Sequence, residues 1–260
     1  MLKTTTNSWL FIGTDSRLST CSKIMKGLGY EANHYNGNSF STELSTLIDE
    51  LAPSHIVLPI IEMEEMIPAE KFPKGATVYP GIISSEWLSK YEEAHIPVHS
   101  YIKEVEYVWE NARLTAEGFL LEYYESTKQS VFGKQFCITG FGKVAKMMAE
   151  VLSAMGGTVA IMARSSEQLG EAAALGYTTC EFNPTNLSEH KTLINTVPAR
   201  WLKPDDKQEL RIFDLASAPG CLKENAPDEY YTIHLGLPGK HFPIDAANAL
   251  AKALLRMNSA

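Results

Sequence analysis

The sequence Gln135-Phe-Cys-Ile-Thr-Gly140-Phe-Gly142-Lys-Val-Ala145 joins a short apolar run to a Gly-x-Gly-x-x-Ala motif. The run predicts a buried strand, residues 143–155 have a helical pattern, and a second apolar run follows at 158–162. A strand, a glycine turn and a helix in this order are typical of the dinucleotide-binding fingerprint. The alternative is a glycine-rich turn in an α/β domain that binds no ligand.

Each small residue of the motif has a physical role in such a fingerprint. Gly140 permits a tight turn, Gly142 lets the backbone approach a pyrophosphate, and Ala145 lets the helix pack closely on the strand. We expect the phosphates at the helix N-terminus, where backbone N–H groups and the helix dipole favour anions. The predicted cofactor contacts of this segment are Gly140, Phe141, Gly142, Lys143 and Val144.

The end of the second strand indicates which dinucleotide is bound. NAD sites usually place Asp or Glu there to bind the ribose hydroxyls, whereas this chain has Ala163-Arg164-Ser165-Ser166. An arginine and two hydroxyl groups suit a 2′-phosphate, which a carboxylate would repel. The sequence therefore favours NADP over NAD, with all four residues as contacts. Alternatively, Arg164 is simply solvated and a serine caps the next helix.

Three further loops follow predicted strands, at residues 195–198, 214–220 and 235–239. Because the carboxyl ends of parallel strands meet at one edge of a sheet, we expect these loops to surround the nicotinamide end. Plain turn chemistry of Pro and Gly is the alternative for each loop taken singly. The predicted contacts are Asn195, Thr196, Val197, Pro198, Ala216, Ser217 and Gly239.

Alternating strand and helix patterns, with a strand predicted at 97–99 among them, extend over the whole chain and predict parallel βαβ units. Apolar residues spaced three and four apart predict a long helix over residues 103–127. We therefore predict an α/β fold of two doubly wound Rossmann-like domains joined by a long helix. The expected parts are an N-terminal flavodoxin- or Rossmann-like substrate domain (1–105), the linking helix (106–130), an NADP-binding domain (131–240) and a C-terminal helix (241–260).

Composition excludes several classes of protein. The 260 residues carry a net charge of −8 with no basic tract, which argues against nucleic-acid binding. No run reaches the roughly 18 apolar residues of a membrane span. Met1–Ser8 is polar and lacks a signal-peptide core. The cysteines form no C-x-x-C pair, so we expect no zinc site and a reducing, cytoplasmic location.

Taken together, the motifs resemble those of the dipicolinate synthase family, in its A-type subunit. The resemblance covers almost the whole chain. The segments that carry it are Gly13-Thr-Asp-Ser-Arg17, Thr115-Ala-Glu-Gly118, Thr139–Ala145, Ala163–Ser166, Ile194–Pro198, Asp214–Gly220 and Gly236–Gly239.

The resemblance implies a two-domain fold similar to D-2-hydroxyacid dehydrogenases and adenosylhomocysteinase. It implies oxidation of a dihydrodipicolinate-type precursor, made in the diaminopimelate–lysine pathway, to pyridine-2,6-dicarboxylate in sporulation, with reduction of NADP. It also implies a second, flavoprotein-like B-type subunit as partner, and the sequence leaves homo-oligomerisation open. Ala218, Gly220–Lys223 and Lys240–Pro243 depart from the family pattern beside the expected substrate crevice, which leaves the substrate undecided.

Three residues are predicted to act on a dicarboxylate substrate. Arg17 follows the first strand and would bind a carboxylate, unless it is a surface arginine. Glu117 lies beside the apolar stripe of the linking helix, and the alternative is a structural carboxylate. His241 is the third candidate, because histidine side chains suit acid–base work near neutral pH, unless it lies on the surface. Asp15 is expected to hold its turn, and His234 to be a satisfied core residue.

Two competing functions remain. D-2-hydroxyacid dehydrogenases have a similar linking helix, but they place a substrate-binding Arg after the strand that corresponds to 210–214. This chain reads Ala-Ser-Ala-Pro-Gly at 216–220. The other possibility is a non-catalytic NADP-binding component of a complex.

Overall fold

The computed structural model describes residues 7–207, 210–224 and 230–259. Most of the polar segment Met1–Ser8, which is predicted to lack a signal-peptide core, lies outside these ranges. The chain forms two compact units, Met1–Asn111 with His241–Ala260, and Ala112–Lys240. It passes from one unit to the other within the helix Val105–Thr127 and again between residues 240 and 241.

The first unit contains a four-stranded parallel sheet with helices along it. The sheet order is β2-β1-β3-β4. Its strands are β1 (Ser8–Ile12), β2 (Glu31–Tyr35), β3 (His55–Val57) and β4 (Thr77–Tyr79). Its helices are α1 (Ser16–Gly27), α2 (Thr42–Leu51), α3 (Ser85–Glu93), the first turns of α4 (Val105–Thr127) and α8 (Pro243–Ser259), with 3-10 turns at Ala69–Lys71 and Tyr101–Lys103.

In this unit one predicted strand is wrong and one helix was not predicted. A strand was predicted at 97–99, but only one isolated bridge joins Val98 to Val78. Pro97 has no N–H to donate, so this short segment cannot extend the ladder on both sides. Helix α3 was not predicted, because its sequence has few apolar residues and buries only Tyr91.

The second unit contains a six-stranded parallel sheet in the order β10-β9-β8-β5-β6-β7. Its strands are β5 (Gln135–Thr139), β6 (Thr158–Ala163), β7 (Thr178–Glu181), β8 (Thr192–Asn195), β9 (Arg211–Asp214) and β10 (Tyr231–Ile233). Its helices are the rest of α4, α5 (Lys143–Ala154), α6 (Ser166–Ala174) and the first residues of α7 (Leu237–His241), with 3-10 turns at Pro184–Glu189 and Pro204–Lys207. The predicted α/β class of Rossmann-like parallel sheets is confirmed.

The strand order of this sheet reverses between β5 and β8, which creates a crevice at their carboxyl ends. The strand Thr178–Glu181 was not predicted, because this edge strand has no apolar run. Of the loop predicted at 235–239, residues 237–239 belong instead to the start of α7, which includes Gly239. Phe119 and Tyr123 of α4 pack with Phe136 and Phe213 of the sheet in one buried aromatic cluster.

None of the helices in the described ranges is both long and apolar enough to span a membrane. The four cysteines, which all lie in the described ranges, are free thiols. Among the described residues, no three His, Cys, Asp or Glu side chains are grouped as metal ligands.

A buried histidine in the first unit gives the protein a testable pH dependence. The His55 ring stacks on Trp9 with 4.1 Å between centroids, and burial lowers its pKa to about 4. Unfolded chains bind a proton there near pH 6.5, so this histidine opposes folding increasingly as the pH falls from about 6.5 to about 4. This effect lowers the free energy of unfolding by up to about 3 kcal/mol at low pH. We expect His55→Gln to remove it.

Urea denaturation of wild type and variant at pH 7.5 and 4.5 measures this difference. His95→Asn is the control, because His95 is exposed and its positive φ of 58° suits asparagine. An identical pH dependence in wild type and His55→Gln would contradict the assignment.

Candidate cofactor site

The glycine turn after β5 has a backbone that only glycine adopts readily. Gly140 has φ +75°, and its N–H donates to the Met162 carbonyl oxygen at 2.8 Å. A Cβ at this position would lie 3.2 Å from Val197 Cγ2 and 3.3 Å from Thr196 Oγ1. The turn therefore packs tightly against the loop that follows β8.

Gly142, the N-cap residue of α5, lies in a different environment. Its φ of −79° is ordinary for any residue, and a Cβ built here would meet no atom within 4 Å. Gly142 has no side chain to cap the helix. The N-terminus of α5 therefore faces open space, and such a terminus attracts anions.

A cavity of about 370 Å³ lies in front of this helix N-terminus. Its volume falls in the range usual for small-molecule sites. It is lined by residues from the turn after β5 and from the loops after β6, β7 and β8: Gly140, Phe141, Gly142, Ala163, Arg164, Ser165, Gln168, Phe182, Thr196, Val197 and Pro198. Three segments of the predicted cofactor site thus come together.

Other predicted contacts do not line this cavity. Lys143 and Val144 lie on the first turn of α5, and Ser166 is the first residue of α6. Ala216 is buried and Ser217 exposed in the loop after β9. Gly239 lies in α7, half-buried. Contact of these residues with a cofactor stays a prediction.

The end of β6 carries a cation and no carboxylate. The exposed Arg164 lies with its Cζ atom 5.5 Å from the centroid of the Phe182 ring. The Ser165 hydroxyl accepts a hydrogen bond from the backbone N–H of Gln168, so this serine caps α6. Because Ser165 forms this cap, the Arg164 guanidinium is not used in capping and remains on the cavity wall.

A buried polar network holds the loops around the crevice. The Asn195 side chain donates to Asp214 Oδ1 at 2.8 Å and accepts from the Thr139 hydroxyl at 2.7 Å. Trp201 Nε1 also donates to Asn195 Oδ1, at 3.2 Å. Because Asn195 is fully buried and so engaged, its side chain supports the crevice, and a direct contact with the cofactor stays a prediction.

Asp214 organises the loop after β9. Its Oδ1 atom accepts from Asn195 and from the Ala216 N–H, and its Oδ2 atom accepts from the Cys221 N–H and the Tyr231 hydroxyl. The side chain is fully buried. Sequence reasoning treated Asp214 only as the start of a loop and missed this role.

A second cluster that was missed lies around Glu122 of α4. Its carboxylate accepts from Lys240 Nζ at 2.5 Å and lies 3.3 Å from His234 Nδ1. The side chains of Glu122 and His234 are each 10% exposed, and the His234 ring stacks on Phe213. His234 is thus nearly buried and satisfied, as predicted. One signal was present in the sequence: Glu122 follows Phe119 by three residues on the apolar face.

Arg17 of the first unit is paired within its own turn. Its guanidinium binds both oxygens of Asp15, and the side chain is only 5% exposed. Although burial of Asp15 raises its pKa, hydrogen bonds and the charge of Arg17 bring it below the ordinary value. The alternative of a surface arginine is wrong. A substrate carboxylate would have to compete with Asp15, so binding by Arg17 stays a prediction.

Asp15 also caps α1, because its side chain accepts a hydrogen bond from the backbone N–H of Arg17. The turn role expected for Asp15 is therefore confirmed.

The other two predicted catalytic residues lie in different units. Glu117, in the second unit, has a side chain 44% exposed, with Arg113 Nε at 3.4 Å. His241 is the first residue of the chain that returns to the first unit, and it is half-buried beside Phe242. Their catalytic roles stay predictions.

Comparison with known proteins identifies the relatives of this chain. No model of a protein family matches it. The A-type subunit of dipicolinate synthase from Bacillus subtilis (strain 168) is 28% identical over 158 residues, which are 56% of this chain and 52% of that protein. The chain is similar to this dipicolinate synthase component. The resemblance read from the motifs is confirmed, and the sequence match spans about half the length of this curated relative.

Solved structures extend the similarity of fold to the whole chain. The crystal structure of the same dipicolinate synthase component from Bacillus subtilis matches with a TM-score of 0.77 and 21% identity, over 98% of this chain and 96% of that one. A D-lactate dehydrogenase with NAD+ from Lactobacillus jensenii matches with a TM-score of 0.56 and 12% identity, over 95% and 94%. At these identities the matches establish the fold.

Proposed function

We propose that this chain is a nicotinamide-dependent oxidoreductase similar to the A-type subunit of dipicolinate synthase, and that it binds NADP in preference to NAD. The observation that carries the proposal is the cavity in the second unit. It has an unobstructed helix N-terminus at Gly142 and an exposed guanidinium at Arg164, with no carboxylate at the end of β6. The similarity to the dipicolinate synthase component and the dehydrogenase fold support it.

The residues of the cavity fit a dinucleotide. Gly142 leaves room for the pyrophosphate at the N-terminus of α5, where backbone N–H groups bind anions. Arg164 and Ser165 offer hydrogen-bond donors to a 2′-phosphate. Thr196, Val197 and Pro198 form the wall on the other side of the turn. The nicotinamide, when bound, supplies hydride-accepting chemistry.

For the substrate we propose a dihydrodipicolinate-type dicarboxylate that is oxidised to pyridine-2,6-dicarboxylate. The oxidation removes a hydride, which passes to the nicotinamide, and a proton, which passes to a base. Arg17 would bind a carboxylate, and Glu117 or His241 would take the proton. We further propose a flavoprotein-like B-type subunit as partner, because the relative in Bacillus subtilis is named as one subunit of its synthase.

A non-catalytic NADP-binding component of a complex is the second candidate function. Arg17 is engaged by Asp15, and Glu117 faces Arg113, so two of the three proposed catalytic residues have charged partners within the chain. Turnover of the dicarboxylate by the purified chain, followed by absorbance of the reduced nicotinamide, separates the two candidates. Turnover that appears only on addition of a flavoprotein partner would identify an obligate complex.

The choice between the dinucleotides is tested at Arg164. We expect Arg164→Ala to weaken NADP binding about tenfold and to change NAD binding little, because a charged hydrogen bond contributes about 1.5 kcal/mol. Calorimetric titration of both proteins with NADP and NAD measures this. The control is Lys134→Ala, which removes an exposed cation at the amino end of β5. A wild type that prefers NAD would contradict the assignment of Arg164.

A further inference from the structure

Phe182 lies where it can fix the orientation of Arg164. It follows β7 directly, and its backbone N–H donates to the Ala163 carbonyl oxygen at 3.1 Å, so it adjoins the end of β6. Its half-buried ring lies 5.5 Å from the Arg164 guanidinium carbon. Both side chains line the cavity of about 370 Å³. A guanidinium over an aromatic face is held by a cation–π attraction.

Contact with Trp201 fixes the position of the Phe182 ring. The ring meets Trp201 edge to face, with 4.7 Å between ring centroids and an interplanar angle of 67°. Trp201 is held in turn by its Nε1 hydrogen bond to the fully buried Asn195. A continuous set of contacts therefore runs from the buried network at the centre of the sheet to the exposed guanidinium at the edge of the cavity.

We propose that Phe182 is a positioning residue that sets the preference of this chain for a 2′-phosphate. The inference rests on the proposed function and extends it to a residue outside the nucleotide motifs. A free arginine loses rotamer entropy when it binds an anion, and stacking on a fixed ring reduces that loss before the ligand arrives. Only a cofactor with a 2′-phosphate uses Arg164 in this way, so the benefit appears in NADP binding and not in NAD binding.

The test is a double-mutant cycle of Phe182→Leu and Arg164→Ala, with calorimetric titration of NADP and NAD. We expect Phe182→Leu to weaken NADP binding about two- to fivefold, which corresponds to a cation–π contact at an exposed site, and to leave NAD binding unchanged. On the Arg164→Ala background, Phe182→Leu is expected to have no further effect. Phe182→Tyr, which keeps the aromatic face, is expected to bind NADP like wild type.

Two outcomes of these titrations would overturn the role proposed for Phe182. Equal weakening of NADP and NAD by Phe182→Leu would show that the ring contacts a part common to both cofactors, and would overturn the inference. Additive effects of the two substitutions would also overturn it, because Phe182 would then act without Arg164. If Phe182→Leu fails to fold, Phe182→Met removes the ring with little change in volume. A wild type that binds no NADP would overturn the proposed function as well, whereas the other outcomes leave that function standing.

Discussion

Gly142→Val is expected to weaken dinucleotide binding by about 100-fold or more and to leave the fold intact. Gly142 has φ −79°, and a Cβ there meets nothing within 4 Å, so the folded chain accommodates a side chain. That side chain would fill the space in front of α5 where the pyrophosphate is proposed to bind. Loss of two backbone hydrogen bonds to a charged group, at about 1.5 kcal/mol each, weakens binding by about 100-fold or more.

Calorimetric titration with NADP, together with thermal unfolding, measures both parts of this prediction. The control is Gly170→Val, since Gly170 in α6 is also exposed and a Cβ there also meets no atom within 4 Å. Gly140 is unsuitable for this test, because its φ of +75° and its contacts with Val197 would make any substitution disturb the turn. Wild-type affinity for NADP in Gly142→Val would remove the central support of the proposed function.

The strand–turn–helix at the cofactor cavity could be predicted because its signals are local. The apolar run before Gly140 specifies a buried strand, and the glycine spacing specifies the turn. The serine after Arg164 carries its own capping signal. None of these depends on residues distant in the sequence, so the pattern alone indicates the βαβ unit.

The support behind the cavity could not be predicted, because it depends on contacts between distant segments. Asp214, Asn195 and Thr139 each end a strand, and in the sequence they resemble ordinary polar residues of loops. Only the strand order β9-β8-β5 places the three side chains in contact. Arg17 shows the opposite difficulty: its partner is only two residues away, yet the sequence does not reveal that the pair is buried.

Replacement of Asp214 by alanine is expected to cause the largest loss of stability among the predicted substitutions. Asp214 accepts hydrogen bonds from four donors in the second unit, on Asn195, Ala216, Cys221 and Tyr231. Each buried donor without an acceptor costs about 1–3 kcal/mol. We therefore expect Asp214→Ala to lower the free energy of unfolding by about 4 kcal/mol or more, at the extreme of single substitutions.

A graded series in urea denaturation at pH 7 tests whether the loss comes from these hydrogen bonds. Tyr231→Phe removes one donor and leaves no other group unpaired, so we expect it to lower the free energy of unfolding by about 1 kcal/mol. Asp214→Asn keeps one acceptor oxygen, and we expect its loss of stability to lie between those of Tyr231→Phe and Asp214→Ala. Ser217→Ala, at an exposed position in the same loop, is the control and is expected to change stability by less than about 0.5 kcal/mol. Equal losses for Asp214→Asn and Asp214→Ala would assign the effect to the buried charge instead of the number of donors satisfied. Because Asn195 links Asp214 to Trp201, and Trp201 supports Phe182, we expect the Asp214 and Tyr231 variants to weaken NADP binding in the order of their loss of stability.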